Sequence, residues 1–104
     1  MANKAAFSMG QIIQHKLFQY RGVIYDVDAV YQGTEEWYER VAKSRPPKDQ
    51  PWYHVLVDGQ GAETYVAERN LAPDSSQAPV DHPLLSQFFC GYHEGVYRLR
   101  RVSN

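Results

Sequence analysis

The sequence predicts a mainly β domain, a small barrel with one or two short helices, and three observations point to it. Trp52 to Asp58 is extended in character, because Pro51 forbids helix continuation and most of the following residues are aromatic or β-branched. Both sides of that stretch are largely apolar, with Trp52, His54 and Leu56 on one and Tyr53, Val55 and Val57 on the other. Such a strand needs cover on both faces. At 104 residues the chain is one domain. A short chain covers both faces most readily by curling its sheet into a barrel, with a helix or loop closing the outside.

Taken in order, residues 1–6 are small and polar and are expected to form a disordered arm, with a single domain over 7–104. Gln11 to Leu17 carries the β-branched pair Ile12 and Ile13 between polar flanks and reads as a first strand. After turn character at Gly22, Val23, Tyr25 and Val27 alternate with Ile24, Asp26 and Asp28, which gives a second strand paired with the first. At Gly33-Thr34 the period changes. Thr34 suits an N-cap, Glu35 and Glu36 suit the positive end of a helix, and Arg40 and Lys43 suit the negative end. A short helix follows, expected to pack Trp37 and Val41 onto the sheet and to stop at Pro46-Pro47.

Beyond the central strand, Asp58-Gly59-Gln60-Gly61 supplies a hairpin loop and Glu63 to Glu68 the return strand. Arg69 to Pro73 reads as a brief turn and Asp74 to Pro83 as a loop. Leu84 to Phe89 has the spacing of a one- or two-turn helix capping an open barrel end. Gly91 and Gly95 bracket a bend before Val96 to Arg101, a last strand or an extended tail.

Composition excludes several classes. The formal charge of −1 supplies no global positive field, so nucleic-acid binding would need a local patch. The single cysteine, Cys90, rules out an internal disulfide framework and suits a reducing, cytoplasmic compartment; its neighbours Phe88, Phe89 and Tyr92 predict a buried thiol. No leader peptide or membrane span is expected. Asp26 and Asp28 would share a strand face, yet no third ligand stands at a recognisable spacing, and His15, His54, His82 and His93 make no metal motif. No nucleophile elbow, phosphate loop or dinucleotide fingerprint appears, so no catalytic residue, cofactor or metal is assigned. The remaining candidates are surfaces. Arg98, Arg100 and Arg101 form the only basic cluster, suited to phosphates or an acidic partner. Tyr20, Arg21, Trp52 and Tyr53 are either an aromatic anchor patch or, for the last two, barrel core.

The blocks His15 with Tyr20-x-Gly22-Val23, Asp26-Val27-Asp28, Pro51-Trp52-Tyr53-His54-Val55, Thr64-Tyr65-x-Ala67-Glu68-x-x-Leu71 and His82-Pro83 run in order from Gly10 to Pro83. In these the chain resembles the heat-shock HspQ family, also called the YccV-like or hemimethylated-DNA-binding domain family. Residues 32–50 and the tail after Leu84 match loosely. The resemblance implies a small, partly open SH3-like β-barrel without enzymatic activity. It also implies two roles: a stress accessory that promotes ATP-dependent, Lon-type proteolysis of clients such as the replication initiator, or recognition of hemimethylated duplex DNA at the replication origin. Exposed edges of an open barrel further predict a homo-oligomer.

Overall fold

The structure, a computed structural model, describes residues 4–100. Its elements in chain order are β1 (Ile12–His15), β2 (Arg21–Asp28), α1 (Glu35–Val41), β3 (Trp52–Val57) and β4 (Glu63–Ala67), then β5 (Leu71–Pro73), α2 (Leu85–Phe88), β6 (Phe89–His93) and β7 (Val96–Leu99). Five strands form one antiparallel sheet in the order β4-β3-β2-β1-β5, and β6 and β7 form a separate hairpin. β3 pairs Trp52 with Ala67 and Leu56 with Glu63 on one side, and Leu56 with Val23 and Trp52 with Asp28 on the other. The glycine-linked hairpin of β3 and β4 is therefore as expected from the sequence.

The sheet curls until its two outer strands are joined by a single 3-10 turn, Glu68–Asn70. That turn leads into β5, which pairs with β1 at Leu71 with His15 and Pro73 with Ile13. The stretch expected to be only a turn thus contains a strand. Ile13, Ile24, Tyr53, Val55, Val66 and Leu71 form one buried cluster to which every strand of the sheet contributes, which identifies it as the barrel interior. The barrel is mainly β and partly open, because the sheet does not close on itself.

The convex face is covered from its two ends. At one end Ile12, Val23 and Leu56 pack against Val80, Phe89 and Tyr97, so α2 and the β6-β7 hairpin form the lid. At the other end Trp52 and Ala67 pack against Tyr38 and Ala42 of α1 and its C-terminal turn. Thr34 caps α1 as expected, its Oγ1 accepting from the Trp37 N–H at 3.1 Å. The buried residue of the helix is Tyr38, not Val41, which is 48 % exposed. The reason lies in the two prolines. The Tyr38 hydroxyl donates to the Pro46 carbonyl at 2.7 Å and the Trp52 indole to the Pro47 carbonyl at 3.1 Å. These bonds turn the helix so that its tyrosine meets the sheet.

Gly10 ties the hairpin to the barrel. Its N–H donates to the Ile24 carbonyl at 2.7 Å and its own carbonyl accepts from Tyr97 at 2.8 Å. It sits at φ +90°, and a Cβ there would lie 2.1 Å from the Tyr97 carbonyl oxygen. Among the described residues no helix is long and apolar enough to cross a membrane.

Gly59 also has a positive φ, +82°, but faces open space. Gly59→Ala should therefore cost only the left-handed backbone penalty, about 1–2 kcal/mol. Gly10→Ala adds a backbone clash, and urea unfolding should place it at least about 1 kcal/mol below Gly59→Ala. Equal midpoints would show that the hairpin is not fastened at Gly10.

Candidate binding trough

The covers over the convex face do not meet. Between α1 and α2 a strip built from the middles of β2, β3 and β4 stays half-exposed, with the His54 and Tyr65 rings in its centre, 4.5 Å apart and tilted by 38°. A bulge in β2 decides what joins them. Ile24 faces Val55 and Asp26 faces His54, so Tyr25 is the extra residue without a partner. Before the bulge Val23 lies on the convex side and Ile24 inside; after it the parity is reversed, with Val27 packed against the interior cluster. Asp26 and Asp28 therefore stand on the convex side beside His54. The strict alternation expected along β2 fails at this point.

The strip's polar groups are bound to one another. Asp28 Oδ2 accepts the Tyr65 hydroxyl at 2.6 Å and meets His54 Nε2 at 3.0 Å, while Asp26 Oδ1 accepts the Val27 N–H at 2.9 Å. The Tyr25 hydroxyl donates to Glu63 at 2.9 Å, and the Tyr25 ring lies between those of His54 and Phe88. Burial, followed by the bond to Glu63, pushes the Tyr25 phenol far above its ordinary range. Burial and the bond to Asp28 do the same to Tyr65. Both phenols are fixed as donors and neither can serve as a base near neutrality. The sequence spacing showed no third ligand for Asp26 and Asp28. The fold supplies one in His54, the three donor atoms lying within 4.8 Å of one another. This trio has oxygen and nitrogen donors suited to a divalent cation, but its bonds to Tyr65 and Val27 already hold it together.

From this strip a trough of about 530 Å³ runs along the outer edge of β4. Trp37, Val41 and Pro46 bound it on the α1 side. The turn between β1 and β2 bounds it on the other, where the barrel is open and the Tyr20 hydroxyl bridges the gap to Thr64 Oγ1 at 2.8 Å. Phe18 stands on this rim 75 % exposed, its ring 4.7 Å from that of His15. His15 is itself buried, and its Nδ1 accepts the N–H groups of Leu17 and Phe18, both at 3.1 Å. Those two bonds fix the imidazole as the neutral Nε2–H tautomer and hold the turn in shape.

The residues singled out in the sequence are scattered. Tyr20 lines the trough. Arg21 is a clamp, bonded to Asp58 at 2.8 Å, to Asp74 at 3.0 Å and to the Ala78 carbonyl, and is not offered to a partner. Trp52 at 1 % and Tyr53 at 0 % exposure are core, so neither can act as an anchor. Burial, then the bond to Glu68, pushes the Tyr53 phenol up to about 12. Arg98 and Arg100 are exposed at the end of β7, where Arg100 Nε donates to the Ser86 carbonyl at 2.9 Å, and Arg101 lies outside the described residues. Cys90 is exposed rather than buried, because β6 turns it outward while Phe89 takes the core position. Trp37, His54, Tyr65 and Phe18 were not singled out as a group. Their only sequence signal is a high density of aromatic residues, which does not separate rim from core.

In comparison with known families, the model described as hemimethylated DNA-binding protein YccV like matches residues 5–96. The match takes in every element that builds the trough. It stops short of Arg98, Arg100 and Arg101.

Burial pulls the His15 imidazole below its ordinary value. Its contribution to stability is therefore present above the unfolded-state pKa of about 6.5 and is lost as pH falls toward the folded value. The urea midpoint should drop between about pH 7.5 and about pH 5.5. In His15→Asn, which keeps an acceptor near the Nδ1 position and cannot titrate, that drop should be smaller. An identical pH profile for the two proteins would refute this role for His15.

Proposed function

This chain belongs to the YccV-like hemimethylated DNA-binding protein family, and on that premise we propose that it acts as a non-enzymatic cytoplasmic stress factor. It binds segments of protein and promotes Lon-type, ATP-dependent proteolysis of selected clients, the replication initiator among them. The observation that carries this reading is the trough. It has an apolar and aromatic lining, an exposed Phe18 and Val41 on its rims, and carboxylates of Asp28 and Glu63 at or beside it. An interface of that composition suits a protein segment. Its lining sets the single cation Lys43 against the carboxylate of Glu63, with Asp28 beside it, and the formal charge of −1 adds no positive field, so nothing there concentrates phosphates. The absence of catalysis is supported by the Tyr65 phenol, which burial and the bond to Asp28 keep protonated, so that the cluster holds no activated nucleophile.

A second reading, recognition of hemimethylated duplex DNA, is favoured by the family's description and by the exposed Arg98 and Arg100. Reading one methyl group requires an apolar contact in the major groove together with phosphate contacts.

Two measurements separate the readings. With purified Lon-type protease and a client, the protein should accelerate degradation; Phe18→Asp should abolish the effect and Arg98→Ala with Arg100→Ala should leave it intact. Binding to hemimethylated, fully methylated and unmethylated duplexes should be equally weak and vanish with added salt. Unchanged degradation, together with a hemimethylated preference that survives moderate salt, would replace the first reading with the second.

A further inference from the structure

We infer that the free edge of β4 takes up an extended segment of a partner protein as an additional antiparallel strand, a segment in which basic and aliphatic side chains alternate. This inference rests on the reading of the trough as a site for protein segments and specifies how such a segment is held.

The register fixes which backbone groups are available. Val57 donates to the Ala62 carbonyl and Glu68 to the Pro51 carbonyl, so the hydrogen-bonded pairs of β3 and β4 are the ones that include Thr64 and Val66. Glu63 and Tyr65 occupy the intervening pairs, and their N–H and C=O groups are directed outward. No bond from the described residues reaches these four groups. An edge with unpaired groups, no proline and no bulge is competent for strand addition. Here the same edge lies along the trough, so a strand laid on it would also find walls for its side chains.

Those walls differ. An incoming residue opposite Tyr65 projects to the convex side, where it meets the faces of Tyr65 and Trp37 and the carboxylates of Glu63 and Asp28, the latter already bonded to His54 and Tyr65; the one lysine of the lining, Lys43, lies on the α1 wall. A lysine or arginine there gains cation–π contact as well as charge complementarity. The next residue projects to the opposite side, toward Val66, Phe18 and Tyr20, where an aliphatic side chain fits. Every strand pair among the described residues is antiparallel, and an antiparallel arrival places the basic residues directly opposite Glu63 and Tyr65.

The test uses the full chain and a capped hexapeptide, Lys-Val-Lys-Val-Lys-Val, with calorimetry as readout. Peptides N-methylated at the lysine amides, which face β4 in this geometry, should bind roughly tenfold or more weakly, while N-methylation at the valine amides should have little effect. Glu63→Lys, checked for an unchanged urea midpoint, should also weaken binding, as should replacement of the peptide lysines by glutamate. Equal affinity across the two methylated series would overturn strand addition. So would a free protein whose β4 edges pair between two copies and exclude the peptide. A degradation assay keeps the failures apart. Stimulation by wild-type protein with no methylation pattern discards strand addition alone, whereas wild-type protein that stimulates nothing removes the reading beneath it.

Discussion

The fold depends on one strand being buried from both sides. Tyr53 and Val55 belong to the barrel interior and Trp52 and Leu56 to the convex face, and all four are inaccessible to solvent or nearly so. Burying large side chains of this kind stabilises a domain by roughly 1.5–3 kcal/mol apiece. A second layer must exist outside the barrel to gain that on the convex side. The chain supplies it in two short pieces, α1 at one end and α2 with its hairpin at the other. Neither piece is long enough to reach the other, and the half-covered strip between them becomes the wall of the trough.

The bulge at Tyr25 makes the strip polar. Without it Asp26 and Asp28 would point into the barrel, where an ionised carboxylate is costly unless paired. With it they lie beside His54, and Asp28 holds both that imidazole and the Tyr65 hydroxyl. Among the described residues no buried side-chain nitrogen or oxygen lacks a hydrogen-bond partner. A strip organised in this way presents rings and negative charge in fixed positions. On the proposed reading, it selects a ligand by charge as well as by shape.

Much of the barrel was legible because its signals are local. Pro51, the aromatic and β-branched run along β3, the glycines at 59 and 61 and the Thr34 cap each act within a few residues. What the sequence concealed depends on distant partners. The strand Leu71–Pro73 is too short to announce itself and exists because β1 offers an edge. Tyr38 rather than Val41 is buried because the prolines that end the helix also provide carbonyls for Tyr38 and Trp52. The bulge carries no glycine or proline to mark it, so spacing alone does not show that Asp26 and Asp28 stand on the His54 side of the sheet. Among the candidate partner residues, Trp52, Tyr53 and Arg21 have the composition of an interface but are used for core and clamp; Tyr20 lines the trough half-exposed, whereas Trp52 borders it only as a buried ring.

The covered strand and the uncovered edge are two consequences of one arrangement, and amide hydrogen exchange on the free protein reads both. Slow exchange is expected for Tyr53 and Val55 and a period of two along β4, with Thr64 and Val66 protected and Glu63 and Tyr65 exchanging orders of magnitude faster. Uniform protection along β4 would mean that its edge is already occupied, and the account of the trough as an open site would be wrong.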